Sequence, residues 1–590
     1  MAWSSNGRSW TGLGTLGSRR RSMVDQAGLV VPFGRCWSLD WWIGADDRWH
    51  FPSQEAAVRQ HLISGTPVVE TAMRVPGGDA VHRTYGARAP GSEELLAVEI
   101  ENRSRLPFAL ALAIRPGRVE RIDHDDRTVT VDGQATLVLP GSPRLTAAMT
   151  GSGRDLADMV QSGSASPGPL GSVHDGAGMA QAALLYPLAH GATLRLVVVD
   201  GPASTSVLRV PSALNVARGW QAQTRRGMRL DLPPGALADA TVANLRFVYL
   251  FQDDVIALDR YGFHDDAARI LAEQPLSRDT GPWPVAEHWR LTGDDDLVRA
   301  MAPAIARAAT EIERRSHRRR RTADPELRGL VEPSYAANFW ALRGLMDGAL
   351  LLAVVGEDRA ASAAAEAAHA LKRDLDASLA SVASRLGSVA IPAGPHRPLD
   401  AACVESLVAL APLRLYGATD AAISATVEAS NARHQVVERG SPLLPEHALL
   451  LAAVDVERGD RRALAWLSRL LDRASATWTW PPRDGDGHDQ RAAGGFCSLV
   501  RDLIVRDVPG GLAMCTVLPE RWFGHSLEVH DAPTHPGVLS FAIRWHEDRP
   551  ALLWELRSRR PGRPIRLTAP GLDPDWHSDE PAGEVLLGRR

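Results

Sequence analysis

The apolar residues of this chain change their spacing twice, and no other feature restricts the fold as much. From about 25 to 232, short runs such as LLAVEIEN, FALALAIRP, TVTVDG, ATLVLPG and ATLRLVVVD stand between Gly, Pro, Asp and Asn turns. Short segments of that kind predict a large antiparallel β-sandwich. From 233 to 507 the period becomes helical. Six apolar helices are expected there, starting near 240, 283, 335, 399, 442 and 490. More polar, amphipathic helices lie between them at 263–273, 295–315, 357–385, 418–430 and 460–474. Apolar inner helices alternating with amphipathic outer ones describe a closed (α/α)6 toroid of helical hairpins. From 508 to 560 strands return (GLAMCTVLP, HSLEVHDAP, GVLSFAIRWHE, ALLWELRS) as a small C-terminal β-domain. Residues 1–24 read as disordered, 151–182 as an insertion or mobile loop, and 561–590 as a tail. The expected fold class is multidomain α+β.

Composition removes several functions. A chain of 590 residues is too long for one core. Its net charge of −4 attracts no nucleic acid, and none is expected as a partner. Of 66 basic residues only Lys372 is a lysine, and it sits in an alanine-rich helical stretch without a glycine loop. A Walker-type phosphate loop and a pyridoxal phosphate Schiff base both need a lysine, so neither chemistry is expected. Cys36, Cys403, Cys497 and Cys515 are scattered, which suggests reduced thiols and a cytoplasmic location rather than a disulfide framework or a zinc knuckle. The polar start carries no secretory h-region, and no run of about 18 apolar residues predicts a transmembrane segment. No cofactor and no metal are expected, since GDGHD lacks the spaced ligands of an EF-hand. The arginine block RRSHRRRR (314–321) reads as the solvated end of an outer helix.

Residues 37–52, WSLDWWIGADDRWHFP, interleave four tryptophans with Asp40, Asp46, Asp47 and His50. Indole faces beside acceptor-only carboxylates suit a polyhydroxylated ring. The alternation of Trp37, Leu39, Trp41 and Ile43 with Ser38, Asp40, Trp42 and Gly44 equally suits a half-buried strand. Trp37 and Trp41 then face a sandwich core, and Asp40, Trp42, Asp46 and Asp47 are left to line a substrate wall or a domain seam.

Loops that lead into the inner helices should converge at one mouth. They contain Asp279, Trp283, Glu332, Tyr335, His396, Asp400, Glu438, Glu446, His447, Trp480, Asp484, Asp486 and His488, with Glu287 and His288 one turn inside the second inner helix. Glycoside cleavage by inversion needs one carboxylic acid to protonate the leaving oxygen and one carboxylate to activate water, about 6.5–9.5 Å apart. Acidic residues ahead of helices also serve as N-caps, and each member of the set has that second reading.

Several phrases resemble, in place, the six-hairpin glycosidase superfamily of glucoamylase-type hydrolases, trehalases and disaccharide phosphorylases. They are WPVAEHWRLTGDDDLVRAM (283–301), NFWALRGLMDGALLLAVVG (338–356), ATWTWPPRDGDGHDQ (476–490) and LPERWFGHSLEVHDAPTHPGVLSFAIRWH (518–546). The resemblance implies a glycoside hydrolase acting on an oligo- or polysaccharide, with Glu332 as general acid and Asp486, or else Asp484, as base. Trp283, Tyr335 and Trp480 become ring-stacking residues. Glu287, Trp340, Glu446, Asp484 and His488 complete the expected sugar contacts. Asn338 stands where an aspartate is expected before Phe339-Trp340, and WPPRDGDGHD lacks a glutamate after its tryptophan and prolines. An enzyme using other carboxylates, a phosphorylase with a phosphate pocket of Arg, His or Ser, and a glycan-binding or assembly protein without catalysis all fit these departures.

Overall fold

The computed structural model describes residues 9–18, 20–89, 94–151, 155–203, 205–278, 280–437, 444–483, 487–559, 562 and 564–588. They form two compact units. The first gathers Met1–Thr224, Asp239–Phe251 and Arg473–Ala493, and the second gathers Arg225–Ala238, Gln252–Asp472 and Gly494–Arg590.

The first unit holds an eight-stranded and a nine-stranded sheet whose named strands pair antiparallel. Strand Trp37–Gly44 is central in the smaller sheet, with Phe108–Pro116 along one edge and Val30–Val31 on the other. Trp41 reaches across to stack on His82 of the other sheet, ring centroids 5.3 Å apart, and its indole N–H donates to the Ala27 carbonyl at 3.0 Å. The expected sandwich is therefore present.

Three expectations for this region need correction. The stretch 1–24 is not disordered from Trp10 onward, since Trp10–Leu13 and Ser22–Asp25 are paired strands with buried Trp10 and Leu13. Their partners lie far along the chain: Thr11 Oγ1 sits 2.6 Å from Thr477 Oγ1. The glycine-rich stretch 151–182 contains helix Leu156–Gln161, N-capped by Asp155, and strand Gly171–His174 on Arg121–Asp125. Trp42 does not face a ligand. Only 1% of it is exposed, and it fills a slot left by Ala111, Ala113, Ala147 and Ala183, edge-on to Phe51. A central strand with a helix packed over its second face buries both sides, whereas alternation suggests one.

In the second unit the helices fall into two layers. Val255–Arg260, Trp283–Thr292, Tyr335–Val354, the 3-10 segment Ala401–Ala409 and Pro445–Glu457 contact one another in sequence order. Outside them pack the amphipathic helices His264–Glu273, Asp295–Arg319, Asp358–Leu386, Ala421–Val437 and Arg462–Asp472. Each outer helix starts within a few residues of its expected position. The 20-residue Tyr335–Val354 helix is long and apolar enough to cross a bilayer on composition, but it packs between inner neighbours and carries Arg343 and Asp347.

The tail is also folded. Arg566–Ala569 and Asp573–Ser578 complete a four-stranded sheet, and Ala582–Leu586 pairs with Arg549–Ser558 in a five-stranded one. That larger sheet also takes Arg229–Asp231, a segment expected at the end of the sandwich.

Candidate active site between the inner helices

Inner helix Trp283–Thr292 begins with Trp283 and Pro284, where a missing proline N–H costs nothing, and ends at Gly293 in the left-handed conformation. One face of its two and a half turns carries Trp283, Glu287 and Arg290 toward a cavity of about 160 Å³. Arg260, Arg343, Arg414, Arg501, Asp507 and His535 close it. A second, more apolar cavity of about 240 Å³ shares Arg260, Trp283, Pro412 and Arg414 with the first and is lined further by Leu449, Ala453, Leu499 and Asp254. Ligand sites commonly measure about 300–1,000 Å³, so each of these spaces suits one ring or a small anion. A groove of about 900 Å³ shares Arg290, Asp507 and His535 and reaches the same charges from the C-terminal strands.

The charges are arranged as a ladder. Arg290 donates to Glu287 Oε1 at 2.7 Å and also binds Asp347, which accepts two further bonds from Arg343 at 2.9 and 2.8 Å. Arg260 donates to Asp502 at 3.0 Å, Arg501 bridges Asp502 and Asp507, and Arg414 and Arg506 share Glu457. His535 Nε2 is 3.4 Å from Glu287 Oε2, and its backbone N–H donates to Asp507 at 2.7 Å.

Burial alone would raise the Glu287 carboxyl, but His535, Arg290 and Arg260 hold it well below the usual carboxylate range. It stays ionised, and suits accepting hydrogen bonds from hydroxyl donors rather than taking a proton. Asp254, on the neighbouring cavity wall, is pushed up by burial. Arg501 is 2% exposed, and its Nε has no hydrogen-bond partner among the described residues.

The sequence-derived candidates disperse. Trp283 and Glu287 line the cavity, and Trp340 meets Trp283 edge-to-face at 5.0 Å. Glu332 sits apart in an arginine cluster, its oxygens 3.4 Å from Arg278, 3.3 Å from Arg315 and 3.9 Å from Arg319. Tyr335 is not available for stacking: it is buried, and its hydroxyl lies 2.9 Å from Ser378 of an outer helix. Glu446 is half-buried in the first turn of Pro445–Glu457. Trp480 and His488 are buried in the first unit rather than placed at a mouth, because the segment 473–493 belongs to that unit's core. Asp46 is exposed on a turn, and Asp47 holds His50 at 2.9 Å. Asp279, Glu438, Asp484 and Asp486 lie outside the described residues.

Asn338 explains one departure from the expected pattern. Its amide donates to the carbonyls of Glu332 and Ser334 at 2.7 and 2.6 Å, and its oxygen accepts from Val331 N–H at 2.7 Å. An aspartate could not supply those two donors.

No family model matches the chain, and no curated protein matches it. Among solved structures, a bacterial glucoamylase complexed with acarbose aligns with a TM-score of 0.59 at 10% identity, covering 85% of this chain and 94% of that one. At that identity the likeness is one of fold, an N-terminal β-sandwich followed by a helical domain. A putative kojibiose phosphorylase from the human microbiome aligns at 9% identity and a TM-score of 0.41 over 99% of this chain and 91% of its own. A GH78 family rhamnosidase of Bacillus sp. GL1 aligns at 14% identity and 0.40, over 74% of this chain and 51% of that one.

Proposed function

We propose that this chain binds a carbohydrate between its inner helices and cleaves a glycosidic bond. The observation that carries the reading is one cavity in which an indole, Trp283, and a carboxylate held ionised, Glu287, sit side by side. An apolar ring face and an anion for hydroxyl protons are the two things a sugar ring needs from a protein. Hydrolysis by inversion assigns Glu332 as acid and Asp486 as base. In that scheme the arginines around Glu332 must part from it before it can present a proton to the leaving oxygen.

A second reading has its own support. Phosphorolysis replaces the base and its water with an inorganic phosphate, which needs arginine and histidine rather than a second carboxylate. Arg260, Arg290, Arg414, Arg501 and His535 around the smaller cavity fit that need.

The test is turnover of a glycan panel with and without phosphate, in wild type, Trp283→Ala, Glu287→Gln, Glu332→Gln and Asp486→Asn. Hydrolysis predicts phosphate-independent release and a large kcat loss in Glu332→Gln and Asp486→Asn. Phosphorolysis predicts a sugar phosphate product and wild-type behaviour of Asp486→Asn. Sugar binding that Trp283→Ala weakens, with no turnover in wild type under either condition, identifies a binding protein and removes the catalytic claim.

A further inference from the structure

Three side chains converge that neither reading uses, two of them next in sequence to residues that face the cavity. Asp259 belongs to helix Val255–Arg260, His264 opens helix His264–Glu273, and His288 lies in helix Trp283–Thr292. His264 Nδ1 is 2.9 Å from Asp259 Oδ1, and His288 Nδ1 is 2.9 Å from both oxygens of the same carboxylate. The three ligand atoms lie within 4.8 Å of one another. Asp259 and His288 are buried, while the His264 side chain is 31% exposed and opens the cluster to solvent. We propose that Asp259, His264 and His288 bind a divalent transition-metal ion such as zinc.

Two imidazoles and one carboxylate are a ligand set for that class of ion, with solvent free to complete the coordination beside His264. The other ring nitrogen supplies an independent argument. His288 Nε2 is buried without a hydrogen-bond partner among the described residues, and Asp294 Oδ2 lies 3.7 Å from it. A metal on Nδ1 moves the ring proton to Nε2 and aims it at Asp294, which is how metal-bound histidines are usually oriented. The rival arrangement, an imidazolium held between Asp259 and Asp294, needs no ion and makes the opposite prediction.

The placement ties the ion to the cavity. Asp259 and His288 are the chain neighbours of Arg260 and Glu287, which line it. A metal here pins two inner helices at the positions that set those two side chains, so it acts as a positioning clamp.

The full-length chain, stripped with a chelator, is titrated with Co²⁺ and followed by its visible absorption, then with Zn²⁺ in competition. The expected result is one ion per chain, with a Co²⁺ spectrum that Zn²⁺ displaces. His264→Ala, at a partly exposed position, keeps the wild-type far-UV circular dichroism and loses affinity by about tenfold or more. His530→Ala, in the more exposed cluster Asp231–Glu528–His530, leaves binding unchanged. Absence of stoichiometric uptake, equal binding by His264→Ala, or loss of binding in His530→Ala each overturns the assignment.

Discussion

The imidazole Nδ1 of His488 accepts a hydrogen bond from the backbone N–H of Gly12 at 3.2 Å, across 476 positions of sequence. Phe247 and Phe251 pack edge-on against the same ring, centroids 4.5 and 5.0 Å away. Burial, with Arg21 adding to it, pushes this histidine down to about 3, and burial with Arg83 does the same to His82 on Trp41. In the unfolded chain both titrate near about 6.5. Between about 6.5 and about 3 the unfolded state therefore binds protons that the folded state refuses. Stability is fully present above that window and falls as the pH drops through it, by up to about 1.4 kcal/mol per pH unit for each ring. Urea midpoints measured from pH 7 to 4 should fall more steeply in wild type than in His488→Gln, which keeps an acceptor for Gly12. An identical slope in both proteins refutes the buried neutral histidine.

Trp42→Ala should cost about 3–5 kcal/mol, because it empties a slot whose alanines cannot close it. Asp46→Asn, on an exposed turn, should leave the denaturation midpoint unchanged. Should Trp42→Ala weaken sugar binding while keeping full stability, the indole belongs to a binding wall after all.

Asn338→Asp should destabilise the chain by more than about 1–3 kcal/mol at neutral pH, since a buried carboxylate would face two carbonyl oxygens. Protonation supplies one donor, so the deficit relative to wild type should shrink as the pH falls. A deficit that ignores pH would point to packing instead.

Glu287→Gln removes the anion between Arg290 and His535 and should cost about 3–5 kcal/mol, as for other broken buried pairs. Because the folded state holds Glu287 below the usual range, its contribution is present above the unfolded carboxyl's range and is lost as the pH falls through the folded value. The gap between variant and wild type should thus be constant at neutral pH and close only in strong acid. Thermal or chemical melts at pH 7, 4 and 2 decide this.

The helical half was legible because amphipathic periods survive in the text: Asp295–Arg319 and Asp358–Leu386 begin within a residue of their expected starts. The last strands were not, since DPDWHS and AGEVL carry too few apolar residues to announce themselves. Trp42 misled because alternation describes one buried face, and its strand has two. Within the cavity, only Trp283 and Glu287 were singled out, from the start of one helix. Arg260, Arg343, Arg414, Arg501 and His535 arrive from separate segments, and the local traces of the ladder were the three-residue spacing of Glu287 and Arg290 and the four-residue spacing of Arg343 and Asp347. Partners that meet through tertiary packing leave no mark in a linear pattern.

The assembly of the first unit from three stretches of chain also sets a schedule. Thr11 leaves the ribosome 466 residues before Thr477, its hydrogen-bond partner. At about 5–20 residues per second that interval is roughly 20–90 s. During it the opening strand has Leu29 and Val31 against Trp10 but lacks its hydrogen-bond partners Thr477, Thr479 and His488. Nascent chains should be most vulnerable to proteases and chaperone capture until residue 493 has emerged, and a fragment cut at 232 should never pass that point.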